Sequence, residues 1–191
     1  PPAGEDDGMV TVLNNTFDGD DIGSWPTGQA GGLAANITDG RYTVELNDAN
    51  QYAYIYPDEA VDLADAVIAA EVQPEGNGLA GLMARFSENG DQRSMYVCWI
   101  NNEGKAGCSK DINNTWSVIL QPQVSPAIKP DAYNILVLAV EGNTLIFAVN
   151  DTEIGRITDD ALSSGAWGVY VENFDSAFRA HYDEIAVLSG N

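Results

Sequence analysis

Residues Val140–Ile154 read VEGNTLIFAVNDTEI. Gly142-Asn143 is a two-residue turn signal between Glu141 and Thr144, and Asn150-Asp151 is a second turn reached after one short apolar run. Two-residue turns rich in Gly, Asn and Asp are the strongest short-range mark of a β-hairpin. A chain that reverses twice within fifteen residues, around a run of β-branched and aromatic side chains, is building antiparallel sheet.

The same grammar runs outward in both directions. Short runs such as MVTVL, RYTVEL, QYAYIY, AVIAAEV, SMYVCWI, WSVIL, YNILVLAV and AWGVYVEN alternate with breaks such as DDIGSWPTG, ITDG, PEGNG, SENGD and NNEGK. Many short strands with this punctuation predict a sandwich or barrel. PDEAVDLADAV has room for a short helical turn, but no long helical period is present, which excludes a helical bundle or a Rossmann fold. Residues 1–8, PPAGEDDG, read as an acidic leader or spacer, and residues 9–191 as one sandwich domain. The chain has neither a start methionine nor a signal peptide, which reads as a processed form or an excised domain.

The stretch YVCWINNEGKAGC, Tyr96–Cys108, holds both cysteines. Asn102-Glu103-Gly104 fits a three-residue hairpin loop, with Gly104 in the left-handed conformation such loops need. That register sets Asn101 opposite Lys105, and stepping outward sets Cys98 opposite Cys108. Directly opposed residues have Cβ atoms about 4.5–5.5 Å apart, close to the span of a disulfide. Two buried free thiols are the alternative. A metal site lacks further ligands, since the one histidine, His181, is distant in sequence, and a redox pair lacks the C-x-x-C spacing. A disulfide implies an oxidising compartment.

The formal charge is −21, from 8 basic and 29 acidic residues. Such a surface repels phosphate backbones and anionic lipid, which disfavours nucleic acid and membrane surfaces as partners. No apolar run reaches the roughly 18 residues of a membrane span.

Several motifs, in order, resemble the concanavalin A-like jelly-roll superfamily, and most closely its bacterial extracytoplasmic branch related to the 3-keto-disaccharide hydrolase domain. They are Phe17-Asp18, Trp25, Asp39-Gly40-Arg41-Tyr42, Gly81–Phe86, Tyr96–Ile100, Asn134-Ile135-Leu136, Val149-Asn150-Asp151, Gly165–Val169 and Tyr182-Asp183-Glu184-Ile185. Arg41 interrupts a usual Asp-Gly-Tyr, and Asp151 stands where the branch has glycine. The resemblance implies an all-β, two-sheet antiparallel jelly-roll sandwich. That fold hosts lectins, glucanases, sensors and inert spacers, so it leaves function open.

Glucanases of this fold carry Glu-x-Asp-x-x-Glu on one strand, which sets alternate carboxylates toward one cleft. No such pattern occurs here. LMARF and MYVCWI hold no acid, and adjacent Asp183 and Glu184 point to opposite faces. There is no Gly-x-Ser-x-Gly elbow, phosphate loop or His-Glu-x-x-His. His181 reads as a surface or packing residue, and no catalytic residue is assigned.

Two binding features remain. Asp18, Asp20 and Asp21 set three carboxylates in a glycine-containing loop, and many sandwich modules tie that loop to the last strand through a structural Ca²⁺, with Asp183 as a fourth ligand. A solvated acidic turn is the plainer reading. Tyr52, Tyr54 and Tyr56 share one face of a strand that Ala53 and Ile55 make apolar on the other, so the strand is expected inside its sheet. The tyrosine row is either a sugar-binding platform or core whose hydroxyls find partners. Trp99, Trp116 and Trp167 are expected in the core, and Trp25 as a packed loop residue. Sequons occur at Asn14, Asn36, Asn113 and Asn150.

The sequence thus predicts an extracellular or cell-surface module, bacterial in origin, with no chemistry of its own. Its expected partner is a glycan or a cell-surface component, with self-association as a further expectation. The alternatives are a structural subunit of a surface layer or filament, and a glycoside hydrolase acting on 3-keto or β-linked glucosides.

Overall fold

In the hairpin around Gly142-Asn143, every second side chain turns inward. Leu136, Leu138 and Val140 of one strand lie opposite Val149, Phe147 and Leu145 of the next, and all six are buried. Glu141 pairs with Thr144 around the Gly142-Asn143 turn, and Val149 with Thr152 around Asn150-Asp151, whose φ angles are 47° and 63°.

The computed structural model describes residues 9–19 and 22–190. The acidic leader therefore lies outside the described residues. The strands in chain order are β1 (Met9–Asn15), β2 (Gly28–Ala30), β3 (Leu33–Thr38), β4 (Arg41–Leu46), β5 (Tyr52–Ile55), β6 (Ala66–Asn89), β7 (Gln92–Ile100), β8 (Lys105–Ile112), β9 (Thr115–Val124), β10 (Asn134–Glu141), β11 (Thr144–Val149), β12 (Thr152–Thr158) and β13 (Ala166–Gly190). All pairings are antiparallel, and no helix forms among the described residues. No helix of the described chain is long and apolar enough to cross a membrane.

The fold is a jelly-roll sandwich whose two layers share their central strands. In one layer the order is β12-β11-β10-β6-β13-β4-β3-β2, with β1 on the far end of β13. In the other, β5 pairs with the first part of β13, which pairs with the second part of β6, followed by β7, β8 and β9. β6 and β13 thus cross between the layers while remaining paired with each other. PEGNG, expected as a break between strands, is instead the bend of β6. Gly76 sits at φ +97°, and the ladder slips opposite it between Asn173 and Phe178. Gly78 leaves room for the Glu172 carbonyl and the Phe178 ring where a Cβ would collide with both. Glycine lets the chain turn between layers without giving up its pairing.

The main core fills the space between the layers and includes Tyr42, Val72, Leu82, Phe147, Trp167 and Tyr182. The cysteines meet as the turn chemistry predicts. Cys98 pairs with Cys108, Asn101 N donates to the Lys105 carbonyl, and Gly104 has φ +76°. The disulfide is formed, with Cα atoms 4.1 Å apart, and both cysteines are fully buried in this core. Trp25 packs against Phe17, Tyr42 and Trp167. The stretch expected to hold a helical turn makes one reversal, from Pro57 O to Ala60 N, and then an isolated bridge between Leu63 and Gly165.

Two further sequence expectations differ from the structure. β5 pairs with β13 alone, so it is an edge strand. Two covered faces misled the assignment: Ala53 and Ile55 pack into the main core, while Phe86 and the Arg93 guanidinium cover the tyrosine face from the side. Trp116 is 38% exposed on the outer strand β9 and is no part of the main core.

Candidate functional site

The outward face of the β5-β13-β6-β7-β8-β9 layer carries a second apolar cluster of Leu79, Met83, Phe86, Met95, Val97, Trp99, Ala166 and Tyr170. Pairing places its members in rows. Tyr54 lies beside Tyr170, Tyr170 beside Gly81, Gly81 beside Trp99, and Trp99 beside Gly107. Glycines on both sides of Trp99 leave room for the indole, since a Cβ on Gly107 would meet the Trp99 Cζ2 at 2.8 Å.

This layer curls. Trp116 on β9 and Tyr170 on β13 stand four strand spacings apart, about 19 Å along a flat sheet. Their ring centroids are nevertheless 5.7 Å apart. The Arg93 guanidinium of β7 likewise reaches β5, lying 4.8 Å from the Tyr52 ring centroid and 5.2 Å from that of Tyr54, and it donates to the Tyr52 hydroxyl at 2.7 Å. Side chains from the rims meet over the middle and leave a cleft of about 350 Å³ lined by Tyr52, Leu79, Val97, Trp99, Ser109, Trp116, Tyr170 and Glu172.

Asp111 and Glu172 are carboxylates of this face, and their surroundings differ. Asp111 of β8 is fully buried, with Arg93 Nε 3.0 Å from its Oδ2. The N–H is not aimed along a hydrogen-bond line, so charge attraction holds the pair. Burial raises the Asp111 carboxyl above its ordinary range, while Arg93 opposes the shift. Glu172 of β13 is half-buried, lines the cleft, and accepts from the Tyr170 hydroxyl at 2.9 Å. Burial raises its carboxyl too, with that hydrogen bond opposing, and no cation pairs with it among the described residues. Burial, followed by the charge of Glu172, pushes the Tyr170 hydroxyl far above the usual tyrosine range and keeps it a donor.

Of the tyrosine row, Tyr52 lines the cleft and is 44% exposed. Tyr54 and Tyr56 pack on Phe86, with ring centroids 5.0 and 5.1 Å away. Asp20 and Asp21 lie outside the described residues. Asp18 folds against Gly40. β1 pairs Asn15 with Ile185, and β4 pairs Tyr42 with Tyr182, so Asp18 and Asp183 come to one corner of the sheet. Among the described residues, no three His, Cys, Asp or Glu side chains converge as a metal site. His181 is buried on the other layer, with Nδ1 2.8 Å from Thr43 Oγ1 and Nε2 3.5 Å from Glu75.

Arg93, Asp111 and Glu172 were not singled out by the sequence. A signal was present for two of them: Arg93-x-Met95-x-Val97-x-Trp99 and Tyr170-x-Glu172 share faces by strand alternation.

Residues 13–183 match the sequence profile of the 3-keto-alpha-glucoside-1,2-lyase-like domain. The chain belongs to that family. The match agrees with the branch indicated by the ordered motifs. No curated protein matches the chain in sequence. Among solved structures, the fold is similar to the carbohydrate-binding module CBM66 from Bacillus subtilis, at 19% identity and a TM-score of 0.57, over 96% of this chain and 92% of that one. It is also similar to the Bacillus licheniformis β-glucanase, at 10% identity and a TM-score of 0.70, over 98% and 100%. A third is the κ-carrageenase from Pseudoalteromonas carrageenovora, at 10% identity and a TM-score of 0.66, over 99% and 98%. At these identities the likeness concerns the fold.

Proposed function

We propose that this family member is a non-catalytic, extracellular carbohydrate-binding module whose sugar site is the aromatic cleft. The observation that carries the reading is a cleft of about 350 Å³ with rings contributed by four strands, Tyr52, Trp99, Trp116 and Tyr170, around the single carboxylate Glu172. Small-ligand sites combine apolar walls with a few placed polar groups, and the C–H face of a sugar ring suits aromatic walls. The family's name and the glycan-related titles of the structural neighbours support the same substrate class. Hydrolysis by a carboxylate pair needs two available acids, whereas the one carboxylate lining this cleft is Glu172 and Asp111 is sealed against Arg93. The buried disulfide supports an oxidising setting, and the charge of −21 favours an uncharged or cationic partner over a phosphate-rich one. A Ca²⁺ held by Asp18, Asp20, Asp21 and Asp183 belongs to the same proposal as a structural ion.

The test is a glycan array followed by calorimetry, with Trp116→Ala as control. Binding that disappears in a folded Trp116→Ala variant supports the reading. A blank array with folded protein overturns it. Release of product from 3-keto or β-linked glucosides, lost in Glu172→Gln, replaces binding with catalysis, and ordered multimers without glycan binding replace it with assembly.

A further inference from the structure

We infer that the cleft selects glycans bearing a free ammonium group, with Glu172 as the counter-ion and the rings around it as cation-facing walls; this rests on the carbohydrate-binding reading. The residues lining the cleft include one anion and no cation, the Arg93 guanidinium standing over the Tyr52 ring at the rim. Glu172 is half-buried, it accepts from the neutral Tyr170 hydroxyl, and no ion pair reaches it among the described residues. A desolvated carboxylate is costly unless paired, so its surroundings favour arrival of a positive group. The nearest guanidinium is already committed, since Arg93 faces Asp111 at 3.0 Å and donates to Tyr52 at 2.7 Å.

The walls favour the same ligand. Tyr52, Trp99, Trp116 and Tyr170 line the space beside Glu172. Aromatic faces attract cations, most strongly where water is excluded, and cages of rings are a recurring site for alkylammonium groups. The remaining lining residues, Leu79, Val97 and Ser109, bring no positive charge. A uronate or a sulfated sugar would place its anion against Glu172 on a chain of net charge −21. An amino sugar satisfies both features, stacking its ring and pairing its ammonium.

The experiment titrates the protein with a β-1,4-linked glucosamine tetramer, its fully N-acetylated counterpart, a neutral cello-tetramer and a uronate tetramer. The glucosamine tetramer is expected to bind about tenfold more tightly than the acetylated one, the size of one favourable cation contact. Glu172→Gln removes that preference, so that the glucosamine and acetylated tetramers bind the variant alike, whereas Trp116→Ala weakens both. If the preference survives in Glu172→Gln, bulk charge causes it and the inference is overturned, because the substitution changes the net charge by one. Equal binding of the free and acetylated tetramers by the native chain also overturns the inference and leaves the carbohydrate-binding reading standing. If no tetramer binds and the array is blank, that reading fails with it. Tetramethylammonium supplies a check independent of any variant: it must compete with the glucosamine tetramer at the native site, and failure to compete overturns the role given to the rings.

Discussion

Removing the Cys98–Cys108 disulfide gives a measurement whose size follows from the structure. The bond joins residues separated by 10 in sequence. Chain-entropy loss for a closed loop of that length contributes about 2.7 kcal/mol at 25 °C. Both cysteines are fully buried between the layers. Each Cys→Ala change therefore also deletes one packed heavy atom, at about 1 kcal/mol by analogy with Ile→Val. Either single variant loses the whole cross-link and one atom, about 3.7 kcal/mol, while the double variant loses the cross-link once and two atoms, about 4.7 kcal/mol. The singles thus sum to about 7.4 kcal/mol, and the cycle has a coupling of about 2.7 kcal/mol. Urea unfolding followed by tryptophan fluorescence under non-reducing conditions gives all four corners. Singles that add to the double refute the reasoning, because they show that the bond restricts the unfolded chain by nothing. Glycan binding by the folded double variant should be unchanged, since the bond faces the core and not the cleft.

Three further outcomes are expected. In Gly81→Ala the new Cβ meets the Cys98 carbonyl and the Trp99 Cα of the adjacent backbone, which cannot rotate away. A loss of about 1–3 kcal/mol or more should appear as a lower urea midpoint, and an unchanged midpoint contradicts the close approach of β6 and β7. Asp111→Ala strands the largely buried Arg93 charge, whose side chain is 16% exposed against 0% for Asp111. It should cost about 3–5 kcal/mol, and the double change Arg93→Met with Asp111→Leu should recover most of it; a double variant as unstable as the single contradicts a pair held by charge. Glu172 has its carboxyl raised by burial, so its contribution to stability is present below the ordinary carboxylate range and is lost as pH rises through the raised value. Glu172→Gln should therefore melt above the native chain near pH 7 and converge with it near about pH 4, as calorimetry can show.

The sequence makes local geometry legible and leaves curvature hidden. The Tyr96–Cys108 register follows from one left-handed glycine, because the position of a tight turn fixes every pair beyond it. The Val140–Ile154 hairpins are legible for the same reason. PEGNG misleads because the residues that end a strand are also those that bend it, and only the pairing of β6 with β13 in both layers separates the two cases. Tyr52 is placed on the face that carries the cleft by simple alternation. Trp116 is misassigned because an aromatic on a strand reads as core until its strand is known to be an edge. Arg93, Asp111 and Glu172 come from three strands, and their common face becomes a cleft only because the layer curls far enough to bring Trp116 to Tyr170.

The central position of β13 has a consequence for how the molecule comes into being. Strand β13, made after the other twelve, is an interior strand of both layers and the partner of β6 along almost its full length. Chains are made from the N-terminus, so a growing polypeptide holds the outer strands long before it holds the one they assemble on. Neither layer can close until β13 has emerged, and loss of that strand opens both at once. A nascent domain that lacks β13 therefore holds β6 with one edge unpaired through both layers.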